Sequence, residues 1–128
     1  MKLTNLYEGN YHSVKDIPGY PFDDRFSGNF RCNDQDLQTL EGSPTIINGE
    51  FVCANSKITT LEGSPRSVSK GFYCQYCELS SLIGSPLIVK GSFYCHHNHL
   101  KSVKSDLQEV VGDFECSSNE ITSLNGLP

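Results

Sequence analysis

Apolar residues recur along this chain with a period of 21 residues. The recurring unit reads V-x-G-x-F-x-C-x-x-N-x-L-x-x-L-x-G-S-P, with a phenylalanine two positions before each cysteine. Because alternate residues of a strand point to the same side, F-x-C predicts a short strand with one buried face. The glycine before it and the Gly-Ser-Pro after it are turn-forming residues. The cysteine column consists of Cys32, Cys53, Cys74, Cys95 and Cys116.

A unit this short cannot bury its own apolar side, so units of this kind stack on one another. We therefore predict a mainly β, right-handed solenoid over 28–128, with repeats starting near 28, 49, 70, 91 and 112. It should contain one parallel sheet of about five to six short strands. The segment 1–27 has no period and is rich in aromatic and turn residues. It is predicted to be an N-terminal cap over the first open edge of the stack.

The segment F-x-C-x-x-N-x-L-x-x-L resembles the core of the leucine-rich repeat, and Asn98 followed by Leu100 fits that motif. Together with the repeated EGSP segments, the chain resembles short bacterial-type leucine-rich-repeat proteins, closest to small phage-encoded repeat proteins. The resemblance covers about 28–128. It implies a protein-interaction module, namely a phage protein that binds and inhibits a host bacterial defence or regulatory protein.

The asparagine column departs from that motif in the first repeats. It reads Gln35, Ser56, Cys77, Asn98 and Asn119. A ladder of asparagine side chains is therefore expected only toward the C-terminal end, and the first repeats should be held more loosely at these positions.

Outward positions on and just beyond the strands are the candidates for partner binding. They are Arg31, Val52, Tyr73, Gln75, Tyr76, Tyr94, His96, His97 and His99. Five of them converge on the middle of the sheet and are called the aromatic patch: Tyr73, Tyr76, Tyr94, His96 and His97. Tyrosine is favoured at binding surfaces because it is large, fairly rigid and amphipathic, although it also suits any exposed strand. The central outward row, between phenylalanine and cysteine in each repeat, consists of Arg31, Val52, Tyr73, Tyr94 and Glu115. Acidic residues at the flanks favour a partner of basic character; they are Asp34, Asp36, Glu115 and Glu120.

A cysteine–histidine cluster offers a competing interpretation. Cys74 and Cys77 form a C-x-x-C pair, and Cys95, His97 and His99 follow, which is a composition that zinc accepts. The repeat register opposes a metal site, since it sends the cysteines inward and His97 outward. We expect reduced thiols, no metal and no cofactor. No nucleophile, phosphate-binding or zinc-protease motif occurs, so neither an enzyme nor a catalytic residue is predicted.

Composition narrows the partner classes further. The formal net charge is −5 and the ten lysines and arginines form no cluster, which argues against nucleic acid. The sequence has neither an apolar run of membrane-spanning length nor a secretory signal. We therefore expect no membrane association and a cytoplasmic location, in the host cell if the protein is phage-encoded. The alternative function is structural: self-association through an uncapped C-terminal repeat edge, giving a homo-oligomer.

Overall fold

A computed structural model describes residues 10–128 and shows a repeat solenoid built from short parallel strands. Each turn of about 21 residues contributes two strands, and every strand pairs with its counterpart in the next turn. Helix is limited, in this part of the chain, to one 3₁₀ turn at Val14–Asp16. The predicted mainly β solenoid is confirmed.

The strands form two five-stranded sheets. The first contains β1 (Arg25–Ser27), β3 (Ile46–Asn48), β5 (Ser67–Val68), β7 (Ile88–Val89) and β9 (Glu109–Val110). The second contains β2 (Phe30–Arg31), β4 (Phe51–Val52), β6 (Phe72–Tyr73), β8 (Phe93–Tyr94) and β10 (Phe114–Glu115). The expectation of a single parallel sheet is thereby corrected. The backbone around the aliphatic residue that precedes each phenylalanine also forms hydrogen bonds between successive turns. For example, the Ser69 N–H donates to the Ile47 carbonyl at 3.0 Å.

Glycines separate the two sheets where neighbouring turns come closest. A Cβ atom at Gly49 would overlap the carbonyl group of Gly28, one turn earlier. A Cβ atom at Gly91 would lie 2.6 Å from the carbonyl carbon of Lys70. The chain therefore bends between the sheets at positions where backbone packs directly on backbone.

Identical side chains stack along the solenoid and form its core. Phe30, Phe51, Phe72 and Phe93 are fully buried, and their rings stack nearly parallel with centroids 5.2–5.5 Å apart. The cysteine column lies beside them, with the first four members at 0% exposure. Burial of each such side chain contributes about 1.5–3 kcal/mol, which a single turn could not obtain without its neighbours.

The two ends of the phenylalanine stack differ in how fully other side chains cover them. Phe22 and Phe26 pack edge-on against Phe30, each with ring centroids 5.1 Å away. They belong to the segment 1–27 predicted as a cap; its residues 1–9 lie outside the described part of the chain. Pairing in the first sheet already begins within that segment, since Phe26 is in register with Ile47. At the other end Phe114 is only partly buried.

Asparagine side chains bridge successive turns near the C-terminal end. Asn98 accepts hydrogen bonds from the backbone N–H groups of Cys77 (3.1 Å) and Leu79 (3.0 Å). Its amide donates to the carbonyls of Cys74 (3.1 Å) and Cys95 (3.0 Å). Asn119 repeats the arrangement one turn later, accepting from the Leu100 N–H at 2.9 Å.

Ser56 and Cys77 carry shorter side chains in the same column, in the two turns before Asn98. The Ser56 hydroxyl donates to the Cys53 carbonyl at 2.8 Å, and the Cys77 thiol donates to the same carbonyl at 3.3 Å. Each of these groups reaches fewer backbone groups than an asparagine amide does. The ladder of asparagine side chains therefore forms where the sequence supplies asparagine, at Asn98 and Asn119.

Replacing Asn98 by alanine should lower the free energy of unfolding by about 2–5 kcal/mol, because two buried N–H donors lose their acceptor. Chemical denaturation followed by circular dichroism measures this change. Asn125→Ala is the matched control, since Asn125 is exposed and its replacement should change the value by less than about 0.5 kcal/mol. Equal unfolding midpoints for the two variants would contradict a bridging role for Asn98.

Candidate functional site: an aromatic surface on the second sheet

The central outward row predicted from the sequence is continuous in the second sheet. Arg31 pairs with Val52, Val52 with Tyr73, Tyr73 with Tyr94, and Tyr94 with Glu115. All but Glu115 are half-buried, and Glu115 is exposed. Parallel pairing in exact register therefore aligns side chains that lie 21 residues apart in the sequence.

The aromatic patch is a connected group of five rings. The Tyr73 and Tyr94 rings meet edge to face at 5.2 Å, and Tyr94 meets His96 at 5.7 Å. His96 contacts Tyr76 at 5.6 Å and His97 at 5.6 Å. The ring of Tyr76 stacks on that of His97 at 4.4 Å with an interplanar angle of 8°. The five rings therefore form one continuous aromatic surface.

Tyr76 and His97 occupy a column of residues with left-handed backbone. The five φ angles in that column lie between 53° and 61°, at Asp34, Asn55, Tyr76, His97 and Ser118. Asp and Asn accept this conformation readily, whereas a bulky residue such as tyrosine adopts it at a cost of about 1–3 kcal/mol. Rung-to-rung hydrogen bonds maintain it, since the Tyr76 N–H donates to the His96 carbonyl at 3.1 Å. The strain sits in the middle of the exposed patch, which is typical of binding sites.

The ring of Tyr73 packs directly against Gly71. A Cβ atom at Gly71 would overlap the hydroxyl group and ring of Tyr73, so that ring covers the backbone of its own strand. In the other repeats the glycine stands two residues before phenylalanine, but in the third repeat it stands directly before Phe72. Gly71 is not among the binding residues predicted from the sequence. The shift of this glycine by one position is the signal that could have identified it.

The remaining predicted binding residues lie around the patch in different ways. Arg31 forms an ion pair with Glu50, with Nη2 and Oε1 2.7 Å apart. Val52 is half-buried beside Tyr73 in the row. His99 is exposed, and within residues 10–128 its ring contacts no other aromatic ring. The structure therefore brings Arg31 and Val52 into the row and leaves His99 apart from the ring cluster.

Two polar atoms, one in the patch and one beside it, have no hydrogen-bond partner among the described residues. They are Oε1 of Gln75 and Nδ1 of His96, both shielded from solvent. Gln75 and His96 occupy the same position in consecutive repeats. An unsatisfied buried polar atom costs about 1–3 kcal/mol, so a ligand that supplies a hydrogen bond here gains affinity.

Carboxylates lie on both sides of the tyrosine pair. Burial, and secondly the charge of Glu50, raises the pKa of the Tyr73 hydroxyl. On the other side, hydrogen bonds from Ser117, whose N–H donates to Oε1 at 2.9 Å, lower the pKa of Glu115. Glu115 lies in the outward row predicted from the sequence. Glu50 was not predicted, because its influence on Tyr73 depends on their proximity in the fold.

The structure separates the cysteine–histidine cluster into an interior and a surface. Cys74, Cys77 and Cys95 are buried, whereas His97 and His99 are exposed. Burial raises the pKa of Cys95 to about 12 and that of Cys74 well above its ordinary value. In the described part of the chain, no group of three His, Cys, Asp or Glu side chains is arranged to hold a metal ion.

Cavities lie elsewhere on the molecule. One of about 320 Å³ is lined by turn residues that include Ile83, Lys104 and Asp106, and one of about 190 Å³ lies beside Phe22. Neither contains a residue of the aromatic patch.

Residues 10–128 contain no helix of the length and apolar character needed to cross a bilayer. Comparisons of the chain with protein-family models, with curated proteins and with solved structures find no match. The candidate function therefore rests on the geometry of the patch.

The buried thiols should make the fold sensitive to alkali. An unfolded thiol ionises near pH 8.5, whereas the pKa of Cys95 is about 12 in the fold. Because the folded-state pKa is the higher one, the stabilisation is complete below about pH 8.5 and is lost as pH rises toward 12. The loss is about 1.4 kcal/mol per pH unit for each such thiol.

Unfolding free energies measured at several pH values between 8 and about 11 test this expectation. The free energy of unfolding of Cys95→Ala should fall less steeply with pH than that of the parent protein, because one thiol fewer releases its proton on unfolding. This difference in slope does not depend on the absolute stability of the variant. Parallel pH profiles for the two proteins would show that Cys95 ionises equally in the folded and unfolded states.

Proposed function

We propose that this protein is a protein-interaction module that binds its partner through the aromatic patch. The observation that carries the proposal is the connected group of five rings, held in place by the register of the second sheet. Tyr76 remains 51% exposed despite its stacking on His97. Ordered aromatic side chains lose little conformational entropy on binding and commonly carry most of the binding energy.

Two further features support a binding role. The left-handed backbone recurs in every repeat, and at Tyr76 it carries a bulky exposed ring at a cost that Asp34 and Asn55 do not incur in the same column. The buried cysteines carry raised pKa values and make poor nucleophiles, so thiol chemistry gains no support.

The resemblance to small phage-encoded repeat proteins extends the proposal to a biological setting. On that basis the partner is a host bacterial protein, bound in the host cytoplasm, and binding inhibits a defence or regulatory activity. The acidic net charge of −5 fits a partner with a basic surface.

Tyr73→Ala/Tyr94→Ala should abolish capture of the partner from bacterial lysate by the immobilised protein. With the captured protein purified, calorimetry should show a loss of at least about 30-fold in affinity, the effect expected for two central interface residues. A double variant that retains every captured protein and its affinity would exclude the patch as the binding site.

Two controls separate binding from folding. Ile83→Ala/Lys70→Ala truncates two exposed side chains outside the patch and should leave capture unchanged. Gly71→Ala keeps every tyrosine but displaces the Tyr73 ring from its position. If the order of the patch matters, Gly71→Ala weakens binding as well, although the added methyl group meets only a movable side chain.

A second candidate function is self-association through the last turn. Val111 and Leu124 are 61% and 60% exposed there, and Phe114 is only partly buried. Among the described strands, β9 and β10 each pair on one side only, leaving backbone groups free for a further strand. Light scattering should then give a mass that rises with concentration and falls to that of the monomer in Leu124→Glu. A monomer at all concentrations would contradict this candidate.

A further inference from the structure

Of the two carboxylates beside Tyr73 and Tyr94, one forms an ion pair with an arginine and the other forms none within the described residues. Glu50, on the side of Tyr73, is neutralised by its ion pair with Arg31. Glu115 is in register with Tyr94 and forms no ion pair within residues 10–128. Its carboxylate accepts a hydrogen bond from the Ser117 N–H at 2.9 Å, which lowers its pKa further below neutral pH. A positive group placed over Tyr94 would therefore find an available carboxylate next to it.

The rings of the patch offer the faces that a cation prefers. Tyr76 has one face against His97 and is 51% exposed. Tyr73 and Tyr94 meet edge to face, so the edge of one ring lies against one face of the other, and both side chains are half-buried. A cation within about 6 Å of such a ring centroid gains about 0.5–1 kcal/mol at an exposed site.

One hydrogen-bond acceptor beside the patch has no donor in the part of the chain that the structure describes. Oε1 of Gln75 accepts no hydrogen bond among the described residues and is shielded by its neighbours. A donor on a partner can satisfy this oxygen only if the Gln75 side chain turns it toward the surface. Planar groups with several N–H donors satisfy an acceptor and stack on a ring at the same time.

We propose that the aromatic patch receives an arginine side chain presented by the partner protein. The guanidinium group stacks on the tyrosine faces, pairs with Glu115 and donates to Gln75. This inference rests on the proposed function of the patch as a protein-binding surface and names the chemistry of the partner. Arginine fits better than lysine because an ammonium group is more strongly hydrated and cannot stack as a plane.

The probes are three short peptides, Ac-Gly-X-Gly-NH2, in which X is arginine, lysine or citrulline. Citrulline has the shape of arginine without its charge. Each peptide is titrated into ¹⁵N-labelled full-length protein at pH 7.5, where free histidine is mostly neutral. The arginine peptide should shift the amide resonances of Gln75, Tyr76, Tyr94 and Glu115 saturably, the lysine peptide more weakly, and the citrulline peptide hardly at all.

Glu115→Gln should weaken binding of the arginine peptide about two- to fivefold, the effect of one exposed charge pair. Glu62→Gln removes the same charge from an exposed position outside the patch and should leave the affinity unchanged. Equal shifts from the citrulline and arginine peptides, or equal affinities for the two glutamate variants, would overturn the inference.

The outcome is separable from that of the proposed function. If Tyr73→Ala/Tyr94→Ala loses its partner but no arginine peptide binds, the patch is the binding site and the assignment of arginine is wrong. If the arginine peptide binds at the patch while the tyrosine variant keeps its partner, the assignment of arginine is supported and the proposed function is wrong.

Discussion

Backbone hydrogen bonding between successive turns, in register and without slippage, is the interaction on which the rest of this structure depends. Each strand has only two or three residues and offers few hydrogen bonds to its neighbour. Stacking of phenylalanine on phenylalanine and the bridging amides of Asn98 and Asn119 hold the turns together. A shift of one residue would send the phenylalanine and cysteine columns to the surface, so burial enforces the register.

The same register creates the candidate site. It places Cys95 inside and Tyr94 and His96 on the outer side, although these residues are adjacent in the sequence. It also brings together rings 21 residues apart, such as Tyr76 and His97. Hydrogen bonds between turns continue past the ends of the strands and hold these two residues in left-handed backbone. The recognition surface is therefore an extension of the packing of the core.

The period of the sequence predicts the solenoid, the buried columns and the outward row, because each depends only on alternation within a repeat. It does not predict the first sheet (β1, β3, β5, β7 and β9), since the strands of that sheet have a single buried apolar position, such as Val68 or Val89. Nor does it predict how Tyr76 stacks on His97, because their orientation depends on a backbone conformation set by the adjacent turn. The sequence places Glu115 in the row but cannot show that Ser117 donates a hydrogen bond to its carboxylate and lowers its pKa.

The central claim is that one register sends the cysteines inward and orders the aromatic patch outward. Nuclear Overhauser effects between ring protons of the free protein test it most directly. The account predicts cross-peaks between Tyr76 and His97 and between Tyr73 and Tyr94, together with a continuous series along the phenylalanine column. Missing patch cross-peaks, or contacts from the His97 ring to the Cys95 side chain, would contradict it.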